Sequence, residues 1–246
     1  MYLKDYQAKL LDDYADYLRR CVELGSGKAA YQESVKAWRD LPFEPHYYPL
    51  PGAEEVPYVC LRVPTGGGKT FLAAHAIEMV NEHYLPADTT LTLWLVPSDA
   101  IRTQTLRILK NREHPLTQSL RRAIGSIAVL DVAESLYVTP PTLDTNHTII
   151  VATMQSFKRE DSSGLRVRKE NGHLMDHFSR VKDADKVGKH SLQDVLRLRR
   201  PFVIVDEAHN QGTTLALDTI ADFKPCAVLE LTATPDRNHS PSNVLR

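Results

Sequence analysis

The chain has 246 residues, 42% hydrophobic and 25% charged, with a formal net charge of −1; that is enough chain for one sizeable core and the composition of an ordinary globular domain. A balance so close to neutral excludes a uniformly basic nucleic-acid binder, so any contact with DNA or RNA must come from a local patch. No apolar run approaches the roughly 20 residues that span a bilayer, no signal peptide follows Met1, and the three cysteines, Cys21, Cys60 and Cys226, lack metal-ligand spacing, which together predict a cytoplasmic protein without membrane contact.

Residues 4–24 place Tyr6, Leu10, Tyr14, Leu18 and Cys21 at helical spacing among charged residues, predicting an amphipathic helix whose apolar stripe docks on the domain. Gly25-Ser26-Gly27-Lys28 has no strand before it and no Ser or Thr after Lys28, so it reads as a helix stop, followed by a second helix through Trp38. Five prolines between Pro42 and Pro57 predict an extended surface connection without regular structure. From Tyr58 onward, strands and helices alternate. Strands are predicted over Tyr58–Arg62, Thr90–Val96, Ser126–Val132, Thr148–Ala152, Phe202–Val205 and Ala227–Leu231, with Ser98 as N-cap of a helix carrying Ile101, Thr105 and Ile108. Such alternation predicts an α/β fold with a mostly parallel sheet and helices on both faces. Residues 1–57 then form an N-terminal helical extension with its proline-rich connection, and residues 58–246 form the α/β domain proper.

Chemistry concentrates at two strand ends. After Tyr58–Arg62 comes Val63-Pro64-Thr65-Gly66-Gly67-Gly68-Lys69-Thr70. Glycines let a backbone curl until successive N–H groups share one concavity, where they and the positive end of the following helix bind phosphate oxygens. Lys69 adds a charge for the outer phosphates of ATP, and Thr70 a hydroxyl for Mg²⁺. Val63 stands where the eight-residue pattern usually has its first glycine. The second site is Asp206-Glu207-Ala208-His209, delivered by the β-branched run Phe202-Val203-Ile204-Val205. Ligands of open parallel sheets bind at that carboxyl edge. Asp206 is placed to hold Mg²⁺ and Glu207 to activate the water that attacks the γ-phosphate.

With these motifs in place the chain resembles the first RecA-like lobe of superfamily 2 helicases and translocases, of the branch with Asp-Glu-Ala-His in motif II. Leu95-Val96-Pro97-Ser98 with Arg102 and Gln104 looks like motif Ia, Val151–Phe157 like motif Ib, and Leu231-Thr232-Ala233-Thr234-Pro235 like motif III. Tyr6-Gln7 sits where this branch carries its adenine-reading glutamine. Within the superfamily the loop, Thr-Met-Gln-Ser-Phe and Asp-Glu-Ala-His-Asn are most similar to the Res subunit of type III restriction enzymes. The resemblance implies that Gln7 reads adenine with Tyr6 flanking the ring, and that Thr65, Gly66, Gly67, Gly68, Lys69 and Thr70 bind the phosphates. It further implies that Ser98, Arg102, Gln104 and Thr153 contact a sugar-phosphate backbone, and that Thr232 and Thr234 couple to the γ-phosphate through His209, on a strand lying between those of Lys69 and Asp206. The partners it implies are double-stranded DNA tracked along its backbone, a modification or specificity subunit, and a second RecA-like lobe. Motifs of that lobe are not found here, so the fragment alone is expected to hydrolyse ATP weakly.

Residues Lys158–Arg200 contain 12 Lys plus Arg against 7 Asp plus Glu, and read either as a solvated surface insertion or as a grip on a phosphate backbone. His173 and His177 are four apart on a possible shared helix face, without a third ligand for zinc. Alternatives to a DNA motor stay open: an RNA helicase or chromatin-remodelling motor of the same superfamily, a nucleotide-gated scaffold without turnover, and, less compatible with Asp-Glu-Ala-His followed by Thr-Ala-Thr, a small-molecule kinase.

Overall fold

The computed structural model describes residues 3–85, 87–158, 167–179, 189–206, 214–235 and 243–245. Two helices open the chain, α1 (Asp5–Leu24) and α2 (Gly27–Arg39). Ser26 separates them by accepting a hydrogen bond from the Ala29 N–H at 3.3 Å, an N-cap that starts the second helix expected after the stop. The stripe of α1 is buried at Leu10, Leu11, Tyr14, Tyr17, Leu18 and Cys21, and it packs against α3 (Lys69–His83). The proline-rich stretch is irregular, as expected. It is tied down by Tyr47, whose hydroxyl donates to the Val56 carbonyl at 3.1 Å and accepts from the Tyr58 N–H at 3.2 Å.

Six strands follow, β1 (Tyr58–Arg62), β2 (Leu91–Val96), β3 (Ile127–Asp131), β4 (His147–Thr153), β5 (Phe202–Asp206) and β6 (Ala227–Thr232). They form one sheet in the order β1-β6-β5-β2-β4-β3, with every pairing parallel. The four central strands are buried along their whole length, which is why they read as predominantly apolar runs, interrupted by residues such as Thr92 and Glu230, rather than as regular alternations. Each fully buried Leu, Val or Ile there contributes about 1.5–3 kcal/mol. Beyond β1, Asn243 and Leu245 exchange main-chain hydrogen bonds with Cys60, at 2.8 and 2.9 Å, so β1 has a parallel neighbour on each side.

The chain moves across the sheet from β1 to β2 to β3 in one direction and returns through β4, β5 and β6 in the other. Right-handed crossovers therefore put α3, α4 (Asp99–Lys110) and α5 (Pro115–Ile124) on one face. On the other lie α7 (Pro140–Thr145), α9 (Leu192–Arg199) and α10 (Thr214–Asp222). Single-turn helices α6 (Val132–Ser135) and α8 (Gln155–Lys158) follow the ends of β3 and β4. Residues Gly172–Phe178 form a 3₁₀ helix docked on the connection after α6: Asn171 Nδ2 donates to the Leu136 carbonyl at 2.7 Å, and His177 Nε2 to that of Val138 at 2.9 Å.

Candidate nucleotide site

The loop between β1 and α3 continues the sheet for one residue before it turns. Val63 is fully buried, and its N–H donates to the Thr232 carbonyl at 2.8 Å. The residue that departs from the usual glycine is thus a core strand position, where an apolar side chain fits. Gly67 N–H then closes a turn on the Pro64 carbonyl at 2.8 Å. Gly66 and Gly68 have φ of 73° and 81°, the left-handed region in which a side chain is strained. A Cβ on Gly67 would lie 2.7 Å from the Pro64 carbonyl oxygen and 2.9 Å from Val63 Cγ1. Gly68 caps α3, its carbonyl accepting from the N–H groups of Phe71 and Leu72. Among the described residues its own N–H has no partner.

The N-terminal helix reaches into this loop. Tyr6 Oη and Gln7 Nε2 both donate to the Gly67 carbonyl, at 2.7 and 2.8 Å, and Gln7 Oε1 accepts from the Lys4 N–H at 2.9 Å. Sequence spacing put Tyr6 on the buried stripe of α1; the structure instead leaves Tyr6 38% exposed and Gln7 6% exposed. The polar residue is the buried one because both ends of its amide are satisfied. One N–H and one lone pair of that amide remain for a further partner. Nothing in the spacing of residues 60 apart signals this contact.

Asp206 is buried at the last position of β5. Leu231 of β6 is the register partner of both Leu61 and Asp206, so the carboxylate lies two strand spacings from the strand entering the loop, about 10 Å. The expected place of the motif III strand between those two is observed. Thr232 Oγ1 donates to the Thr234 carbonyl and accepts from the Thr234 N–H, each at 3.3 Å; the hydroxyl closes the strand-to-loop turn. Glu207 and His209 lie outside the described residues.

The remaining motifs stand at the same edge, over β2 and β4, whose last residues Val96 and Thr153 are register partners. Ser98 caps α4 by accepting from the Ile101 N–H at 3.4 Å, and Gln104 is exposed. Arg102 pairs with Asp99 at 3.3 Å. Thr153 is buried, its hydroxyl 3.1 Å from that of Ser156. Of these four, Ser98 and Gln104 present open polar groups.

Phosphate and Mg²⁺ fit this donor set: a left-handed glycine pair with an inner N–H available, a half-buried Lys69, the Thr70 hydroxyl in the first turn of a helix, and a carboxylate two strands away. Other chemistry is poorly served. Burial pushes the thiols of Cys21 and Cys226 up to about 12, so neither is a thiolate nucleophile near neutrality. Among the described residues there is no metal-binding cluster and no helix long and apolar enough to cross a membrane. His173 and His177 do not share a helix face: successive 3₁₀ residues turn by about 120°, and while His177 is bonded to Val138, the His173 ring lies 4.9 Å from that of Tyr137.

A family model described as type III restriction enzyme, res subunit, matches residues 1–237. No curated protein matches the chain. Among solved structures, a nuclease-deletion mutant of the Type ISP restriction-modification enzyme LlaGI in complex with a DNA substrate mimic is 16% identical, with 100% of this chain aligned to 20% of that one at a TM-score of 0.44. The Sulfolobus solfataricus SWI2/SNF2 ATPase core in complex with dsDNA is 15% identical over 97% of this chain and 33% of that one, at 0.42. T4 UvsW is 16% identical over 78% of this chain and 30% of that one, at 0.41. The chain thus spans at most about a third of each of these proteins.

Proposed function

The chain belongs to the family of the type III restriction enzyme res subunit, and from that premise we propose that it is the ATP- and nucleic-acid-binding motor lobe of a DNA helicase or translocase, in a type III restriction or related defence enzyme of the cytoplasm. The observation that carries the reading is the gathering of the glycine loop, Lys69, Thr70 and Asp206 at one carboxyl edge of the sheet, with motif III on the strand between. In this reading the loop N–H groups and Lys69 hold the β- and γ-phosphates, and Thr70 and Asp206 hold Mg²⁺. Glu207 activates water, and Thr232, Thr234 and His209 relay the state of the γ-phosphate. Gln7 reads adenine with its remaining N–H and lone pair. Ser98 and Gln104 meet the nucleic-acid backbone, with Arg102 and Thr153 behind them once their present partners are exchanged. Residues 1–57 act as the adenine-side element of a lobe made by residues 58–246. A second RecA-like lobe supplies the far wall of the cleft, and a modification or specificity subunit chooses the DNA target.

Calorimetric titration with Mg·ATP tests the reading. Removing the Lys69 charge from a phosphate nest should weaken binding at least about tenfold in Lys69→Ala. Equal affinities in wild type and variant would sink the assignment.

A further inference from the structure

Two donors converge on a single carbonyl of the loop, and that peptide is the one least able to hold itself in place. Gly67 and Gly68 flank it, so neither side has a Cβ to resist a flip of the peptide plane. In a trans peptide the carbonyl and the N–H point in opposite directions. Tyr6 Oη at 2.7 Å and Gln7 Nε2 at 2.8 Å hold the Gly67 oxygen toward α1, which aims the Gly68 N–H, without a partner among the described residues, away from α1. A flipped peptide would present an oxygen where the phosphate oxygens are to sit. The amide also packs directly against the loop: a Cβ on Gly68 would come within 2.7 Å of Gln7 Nε2, and Gln7 is itself held by the Lys4 N–H at 2.9 Å.

We propose that Tyr6 is a positioning residue for the phosphate loop, and that its hydroxyl, together with the Gln7 amide, locks the Gly67–Gly68 peptide in the orientation that offers its N–H to a polyphosphate. The inference rests on the nucleotide reading above, and it replaces the role of ring flank for Tyr6. The N-terminal helix then sets affinity for the triphosphate itself, independently of the base. In α1 the same amide that touches the loop has one valence left at each end for adenine, so base and phosphate recognition share one side chain.

Tripolyphosphate, which has no base, separates the two roles. Mg·tripolyphosphate and Mg·ATP would be titrated calorimetrically into wild type and Tyr6→Phe, a change that keeps the ring and removes one hydrogen bond. Both ligands should weaken by the same factor, about three- to tenfold, while the melting midpoint of the free protein stays within about a degree. Unchanged tripolyphosphate affinity in Tyr6→Phe, with or without a loss for ATP, overturns the lock. If wild type binds neither ligand, it is the nucleotide reading that fails, and the lock with it.

Discussion

His177 shows how burial at a single residue becomes a property of the fold. Its Nε2 donates to the Val138 carbonyl at 2.9 Å, so the neutral ring carries its proton there, and burial lowers its pKa below the ordinary value, opposed first by that hydrogen bond, helped by the nearby Arg199, and opposed further by Asp144 and Asp176. The unfolded chain takes up a proton as pH falls through about 6.5, whereas the folded state resists, so stability is full above that pH and declines as pH falls toward the native pKa. His177→Gln keeps an N–H for Val138 and cannot titrate. Its melting midpoint should therefore fall less than that of wild type between about pH 7.5 and about pH 5.5. Part of the slope remains, because His147 is lowered by burial as well. Parallel melting curves would show that the site does not resist protonation. At this scale the sequence was legible where chemistry is local: Lys69, Thr70 and Asp206 stand where the motifs put them, and even Val63 reads correctly once a buried strand position is recognised. It was illegible where a side chain answers a distant partner. The inversion of Tyr6 and Gln7 depends on Gly67, 61 and 60 positions away, and the Thr153 hydroxyl turns inward to Ser156.

Among the elements, the segment 243–245, which joins the sheet only by an isolated bridge of Val244 to Cys60, carries more than its length suggests. Asn243 is fully buried. Its Nδ2 donates to the carbonyls of Tyr48 and Tyr58 at 2.8 and 2.9 Å, and its Oδ1 accepts from the Tyr48 N–H at 2.8 Å. One side chain thereby pins the proline-rich connection to the first residue of β1, the strand that feeds the phosphate loop. Asn243→Ala would leave these groups buried without that partner, at a cost of about 1–3 kcal/mol for each one that water cannot reach. A loss of about 2–4 kcal/mol is expected in urea unfolding, with faster amide exchange around Tyr48. A loss below about 0.5 kcal/mol would mean that water replaces the amide. No local pattern announces this clasp, since its halves are 195 and 185 positions apart. The long strands were readable because predominantly apolar runs need burial on both faces. Helices α5, α9 and α10 were missed, each being ten residues or fewer, too short for periodicity to stand out from the turns around them.

For the whole molecule, alternation of strands and helices was sufficient for a parallel sheet, but not for its order; the position of β6 between β1 and β5 was implied by the family resemblance alone. Charge is the other global property, and here the structure narrows the reading of the basic stretch at 158–200. Three of its arginines are engaged within the protein. Arg197 Nε donates to the Asp222 carbonyl at 2.7 Å and its guanidinium pairs with the carboxylates of Asp222 at 3.2 Å and Asp194 at 3.5 Å. Arg199 pairs with Asp144 at 2.6 Å, and Arg168 with Asp222 at 3.8 Å. These contacts staple α7, α9 and α10 together on the face reached by the returning crossovers, away from the carboxyl edge where the motifs gather. An arginine that neutralises a phosphate must release its internal carboxylate first, and in a chain of net charge −1 little field remains to drive that exchange. If DNA binds, Arg197→Gln with Arg199→Gln should leave the slope of log K against log salt unchanged, whereas two lost phosphate contacts would make it shallower by about 1.8. The double variant should instead lower the melting midpoint by about 2–6 °C, since partly exposed pairs are worth up to about 1 kcal/mol each and the main-chain bond of Arg197 adds to that. Anisotropy titrations over a salt series, beside thermal melts of the same two proteins, separate the outcomes. A shallower slope with an unmoved midpoint would return these arginines to the nucleic-acid surface.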